Sequence, residues 1–192
     1  MVFKSYYDMR GFTLVELMVV IAITSILSTM ILPNFRFSEQ QLSVKISAYR
    51  LAQDLRRVQE MAMSSIKFNG QISAGGYGVN FVLNSNTYIL FADVNANGEY
   101  DGEGERVEEI NLSRIKTTAK YSYLSYPGGG DPVEAWASLP ELSVIFVPPD
   151  PIVVIDSAET SYNNEYMVVL SYDSEIQKSV KVNGIGLIFV VD

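Results

Sequence analysis

The 192-residue chain contains no cysteine and no histidine. Without cysteine there are no disulfides, no thiolate metal sites and no thiol nucleophile, and the redox compartment leaves no trace. Without histidine the commonest general base and the commonest zinc ligand are both missing. Neither a G-x-S-x-G elbow nor a GxxxxGK[ST] phosphate loop occurs. Positive charge is also scarce: 14 Lys and Arg stand against 22 Asp and Glu, for a formal net charge of −8. Nucleic-acid affinity rests on Lys and Arg, so no nucleic-acid partner is expected. No set of nucleophile and base can be assembled, and no enzyme is expected.

What the chain does have is a long apolar run, from Phe12 to Leu32. About 20 apolar residues at 1.5 Å rise span a bilayer core, so the run is long enough to cross. Lys4 and Arg10 form a short basic flank that positive-inside bias would hold in the cytoplasm. A cleaved secretory signal has a 7–15-residue apolar core and a small-residue cleavage site after it. Here the run continues through "TSILSTMILP" with no A-x-A, and the small residue at a polar-to-apolar boundary is Gly11, in front of it. Glu16 lies one turn inside the run. A carboxylate at a helix centre costs roughly 2.5–3.5 kcal/mol on insertion scales. Near the helix start burial is shallower and the helix dipole favours a negative charge. Glu16 is therefore either tolerated at the interface or kept for a cation met elsewhere.

The stretch "RGFTLVELMVVIAI" resembles the class III leader and first helix of type IV pilins and type II secretion pseudopilins. The resemblance implies cleavage between Gly11 and Phe12 by a prepilin peptidase on the cytoplasmic face, and methylation of the new amino terminus at Phe12. Glu16 would then be the fifth residue of the mature chain. In an assembled fibre it would neutralise the amino terminus of a neighbouring subunit. A buried carboxylate is strongly disfavoured without a cation and stabilised by one. The partners so implied are the prepilin peptidase, other pilin or pseudopilin subunits, an inner-membrane assembly platform, and membrane lipid before assembly. The resemblance also implies a single-pass inner-membrane protein whose carboxy-terminal domain is extracytoplasmic and ends in a periplasmic or cell-surface fibre.

Pro33 follows the apolar run and is expected to kink or interrupt the helix, since it lacks an N–H and crowds the preceding turn. Beyond it Val44, Ala48, Leu51, Leu55, Val58 and Ala62 recur at helical spacing, with Lys45, Arg50, Asp54, Arg56, Arg57 and Glu60 on other faces. This amphipathic helix is expected to pack on its own carboxy-terminal domain. From residue 67 onward aromatic and β-branched runs predict strands at 77–83, 87–92, 106–112, 115–124, 142–147, 152–156 and 166–172, with a final pair in "SVKVNGIGLIFVVD". "NSN" predicts a short hairpin, while "PGGGDP" and "PPDP" predict irregular loops.

The expected fold class is α+β. A leader (1–11), a membrane and assembly segment (12–34) and an amphipathic helical half (35–66) precede an antiparallel β domain (67–192) that covers the helix with one side of its sheet. "FADVNANGEYDGEGERVEEI" and the terminal "KVNGIGLIFVVD" are similar to segments of minor pseudopilins of the secretion-system H type and of FimT-like minor pilins. The functional expectation is a non-catalytic subunit that enters or primes a type IV pilus or a secretion pseudopilus. The alternative is a membrane-anchored extracytoplasmic domain that binds calcium or glycans and forms no fibre.

The acidic segment carries the metal question. Asp93, Asn95, Asn97, Gly98 and Asp101 occupy positions 1, 3, 5, 6 and 9 of a calcium loop, but the twelfth is Gly104, flanked by Glu103 and Glu105. An Asn/Gly-rich acidic turn between strands needs no metal, so no cofactor is expected, with calcium as the alternative. Tyr121, Tyr123 and Tyr126 could stack on a sugar or simply stabilise a sheet. Trp136 is expected to pin a loop. Glu108 and Glu109 are adjacent, so a strand would point them to opposite faces. Glu109-x-Asn111-x-Ser113 fits an acidic bacterial N-glycosylation sequon.

Overall fold

The computed structural model describes residues 11–125, 133–148, 152–156 and 165–191. One helix, α1 (Leu14–Met63), leads the chain. It starts at Thr13, whose Oγ1 accepts the Glu16 N–H at 3.2 Å and so satisfies one of the first-turn donors. Its other end closes on Ser65 in the left-handed region (φ 48°). The Ser65 N–H reaches the Ala62 carbonyl and the Ile66 N–H reaches the Met61 carbonyl, the paired bonds of a Schellman cap with serine in place of the usual glycine. α1 runs through Pro33 without interruption. Of the two expected outcomes, kink or interruption, the interruption does not occur: the lost donor of one proline does not end a helix propagated on both sides.

The chain divides into two compact units, Met1–Glu39 and Gln40–Asp192. The first contains the apolar part of α1. The second contains the rest of α1 and all the strands.

In the second unit the strands are β1 (Lys67–Phe68), β2 (Gln71–Ile72), β3 (Gly76–Val82), β4 (Thr87–Asp93), β5 (Arg106–Asn111) and β6 (Lys116–Ser125). They continue as β7 (Val133–Leu139), β8 (Glu141–Val147), β9 (Ile152–Asp156), β10 (Glu165–Ser171), β11 (Gln177–Asn183) and β12 (Ile188–Val191). They form two five-stranded antiparallel sheets, in order β5-β4-β3-β8-β9 and β12-β11-β10-β6-β7, with β1–β2 as a separate two-stranded ribbon. The sequence led to one sheet; the structure has two because the chain leaves the first after β5 and again after β9. The segment around Trp136, expected to be a loop, is the strand β7, with Trp136 opposite Ser122 of β6. Its half-buried ring lies under the Lys181 ammonium at 4.8 Å. Tyr121 and Tyr123 lie on β6. Tyr126, the "PGGGDP" loop and most of "PPDP" lie outside the described residues.

A single apolar core joins α1 to both sheets. Val44, Ala48, Leu51, Leu55, Val58 and Ala62, the predicted stripe, are all at most 1% exposed and are joined by Ala52. They meet Val79, Phe81, Tyr88 and Leu90 from the first sheet and Ala119, Val168, Leu170 and Val180 from the second. Polar contacts fix the helix on both sides of this core. Towards the first sheet, the Tyr88 hydroxyl donates to Asp54 Oδ2 at 2.5 Å and Arg57 Nη1 meets Glu108 Oε2 at 2.8 Å. Towards the second, Arg56 donates to the Ile188 carbonyl and Gln59 to the Gly186 carbonyl. These last two bonds cover the first carbonyl of the edge strand β12 and one in the turn that leads into it. The β3–β4 hairpin stitches the sheets together, since Asn84 N–H donates to the Thr117 carbonyl and Thr117 N–H to the Ser85 carbonyl.

Candidate functional site

Two regions carry the sequence-predicted functional residues, one in each unit. The first is the start of α1. Gly11 and Phe12 are exposed ahead of the helix. Every described side chain from Phe12 to Met30 is exposed as well, with Phe12 at 83% and Met30 at 72%. Among the described residues, α1 is the one helix long and apolar enough to cross a membrane. Its polar side chains are closed on the helix itself. Thr24 Oγ1 donates to the Val20 and Ile21 carbonyls, Ser25 to Ile21, Ser28 to Thr24 and Thr29 to Ile26, at 2.7–3.0 Å. Hydroxyls satisfied in this way place no unpaired donor in an apolar surrounding.

Glu16 occupies the third helical position after Thr13, the order Thr-x-x-Glu of a capping box. This local role is absent from the sequence reading above, although the four residues spell it out. It gives the carboxylate a reason to stand near the helix start, where the exposed N–H groups favour an anion.

The second region is the β4–β5 connection, residues 94–105. Its carboxylates separate into distinct jobs. Asp93 is 1% exposed, and its two oxygens accept the N–H groups of Asn97 (3.3 Å) and Gly98 (3.0 Å). Glu105 is 5% exposed, and its two oxygens accept the N–H groups of Val94 (2.9 Å) and Asp101 (3.1 Å). Asp101 Oδ2 receives the side-chain amides of Asn95 (2.6 Å) and Asn97 (2.8 Å). Glu103 points to Arg106 at 2.5 Å, and Arg106 also meets Glu109. Gly75 is required beside this turn, because a Cβ there would collide with the Asp93 carboxylate. Two positive-φ residues, Ala96 (φ 58°) and Gly98 (φ 84°), let the chain fold back over Asp93.

The six residues singled out as calcium ligands make separate hydrogen bonds within the turn. Asp93 and Glu105 bind backbone, Asn95, Asn97 and Asp101 bind one another, and Glu103 binds an arginine. Among the described residues there is no group of three or more His, Cys, Asp or Glu side chains that could hold a metal ion. Each oxygen of Asp93 and Glu105 takes one N–H, which fixes the turn's shape through the backbone. The Tyr100 ring packs tilted against Phe91, with ring centroids 5.4 Å apart. Its hydroxyl pKa is raised by burial and then by the nearby Glu103 carboxylate. Glu108 and Glu109 diverge as expected, one to Arg57 and one to Arg106.

Compared with known proteins, the chain matches the prokaryotic N-terminal methylation motif over residues 8–32. That stretch takes in Gly11, Phe12, Glu16 and the apolar start of α1. No curated protein and no solved structure matches. The chain thus carries, at its amino-terminal end, an N-terminal methylation motif of the type IV pilin-like kind, ahead of a long helix and an antiparallel β domain in the pilin-like layout. The apolar helix and the motif together are consistent with membrane anchoring.

Proposed function

We propose that this protein is a non-catalytic fibre subunit of the type IV pilin class. A prepilin peptidase cuts it after Gly11 and the new terminus is methylated at Phe12. The helix from residue 12 to about 34 waits in the cytoplasmic membrane with the β domain on the far side. An assembly platform then moves the helix out of lipid and into a bundle with other subunits. Glu16 is the register device of that step. In the membrane its charge is eased by the helix start, and in the bundle it meets the positive amino terminus of a neighbour.

The observation that carries this reading is the methylation motif at residues 8–32, coinciding with a helix whose every described side chain up to Met30 is exposed. A surface of that kind is stable in water only when lipid or other helices cover it. The test is the intact mass of the chain after expression with and without a prepilin peptidase.

The resemblance to minor subunits of the H and FimT-like type rests on two segments. One is the acidic turn between β4 and β5, and the other is the β11–β12 pair. Copy number per isolated fibre measures it: few copies for a minor subunit, many for a major one. The alternative, an anchored domain that binds calcium through the acidic turn, is separated from this reading by a calcium titration of the folded chain.

A further inference from the structure

We propose that Asn111 is an acceptor site for an N-linked glycan. The inference starts from the alternation of β5 and the residues after it. Glu109, Asn111 and Ser113 are exposed, while Ile110 and Leu112 are 3% and 5% exposed in the core. Along an extended strand successive side chains take opposite faces, so Glu109 and Asn111 share one side of β5, and Ser113 follows exposed in the turn after it. They are the three whose identity an acidic sequon of the form Glu-x-Asn-x-Ser specifies, and the two free positions are the ones spent on packing.

The turn also has a fitting shape. Asn111 Oδ1 accepts the Ser113 N–H at 2.6 Å. Ser113 takes the left-handed region (φ 60°), and its carbonyl is held by Asn86 Nδ2 at 3.2 Å. With Oδ1 engaged, Asn111 Nδ2 has no protein partner among the described residues, and neither does the Ser113 hydroxyl. The hydrogen bond to Oδ1 draws electron density from the amide, which makes an Nδ2 proton easier to lose. Glu109 keeps a solvent-exposed carboxylate beside Arg106 at 3.2 Å.

The donor is a saccharide linked through pyrophosphate to a membrane lipid, and the catalyst is an oligosaccharyltransferase. The bond from Nδ2 to the anomeric carbon forms as the bond from that carbon to the pyrophosphate oxygen breaks. The lipid pyrophosphate leaves with the electron pair, and one Nδ2 proton passes to a base of the transferase. No oxidant or reductant is needed. In the cell this donor is used on the extracytoplasmic side, so the inference rests there on the membrane topology proposed above.

The experiment avoids that dependence. The purified full-length chain, folded and in detergent, is incubated with a purified oligosaccharyltransferase of the acidic-sequon class and a lipid-linked oligosaccharide of known mass. Intact mass is the readout, with a short acceptor peptide as positive control. The expected result is a gain of one oligosaccharide mass, lost in Asn111→Gln and in Ser113→Ala and reduced several-fold in Glu109→Gln. All three substitutions are at exposed positions, and unchanged thermal unfolding of each variant shows that the fold is retained. A chain that keeps its mass while the control peptide is modified overturns the inference, as does modification that persists in Asn111→Gln. Neither outcome depends on whether the leader is cut at Gly11.

Discussion

Thr13 and Glu16 form one structural unit: the threonine side chain accepts the glutamate's backbone N–H at 3.2 Å, and the glutamate stands at the third position of the helix it starts. A carboxylate in an apolar helix then has two reasons to be there. One is local, at the dipole end of α1, and one waits for assembly. The two can be separated by experiment, because the local one persists in a lone subunit.

Replacing the cap tests the local part. Thr13→Ala removes the acceptor and should cost about 1 kcal/mol of helix-end stability, whereas Thr13→Ser should cost little. Hydrogen exchange of residues 14–17 in detergent is the measurement. About fivefold faster exchange in the alanine variant, with the β domain unaffected, is the expected outcome.

The contact between Tyr88 and Asp54 should govern how α1 is held on the first sheet. Tyr88→Phe leaves the largely buried Asp54 carboxylate without its 2.5 Å donor. The expected loss is about 1–3 kcal/mol in denaturant unfolding. Burial first, and then the Asp54 hydrogen bond and charge, raise the Tyr88 pKa well above 10.0. Burial also raises those of Tyr77 and Tyr166. A raised folded-state pKa gives stability that is complete below the unfolded value and fades as pH rises beyond it. Stability should therefore fall above about pH 10, by up to roughly 1.4 kcal/mol per pH unit for Tyr88. Tyr88→Phe should make that fall shallower.

Gly75→Ala should loosen the acidic turn. The added methyl meets the Asp93 carboxylate and the Ala96 backbone, neither of which has room to move without breaking the bonds to Asn97 and Gly98. A loss of about 1–3 kcal/mol is expected in thermal or denaturant unfolding. An unchanged midpoint would show that the turn is looser than its hydrogen bonds imply.

Calcium should leave the domain's stability where it is. With no cluster of three acidic side chains among the described residues, millimolar calcium is expected to move the thermal midpoint by less than about 1 °C. A free-ligand concentration of 100 times the dissociation constant would add about 2.7 kcal/mol and shift it by several degrees. Asp93→Asn should destabilise the domain equally with and without the ion.

Much of the fold was legible because burial and periodicity coincide. The stripe from Val44 to Ala62 repeats at helical spacing, and each member is in the core. The strands that alternate or run apolar, such as β3, β4 and β8, were found within a residue or two of their ends. β7 escaped because Val133–Leu139 sits between prolines 132 and 140 and contains Glu134, Ala135 and Ala137, so its composition suggested a loop. Its strand character comes from its partner β6, a tertiary effect that no local pattern carries. The two-residue strands β1 and β2 are too short to show a period. In the acidic turn the residue spacing was readable, but the direction of each carboxylate was not. The backbone N–H groups that Asp93 and Glu105 hold leave no mark in a sequence. The Thr13 to Glu16 box was legible and needed only to be read as a helix start.

The most direct test of the central claim is the intact mass of the chain after expression with an active prepilin peptidase. The account predicts a chain that begins at methylated Phe12, and a Gly11 substitution that blocks the cut. A chain that keeps residues 1–11 while a control prepilin in the same cells is processed would contradict it, and would leave Glu16 with its place at the helix start as its whole role.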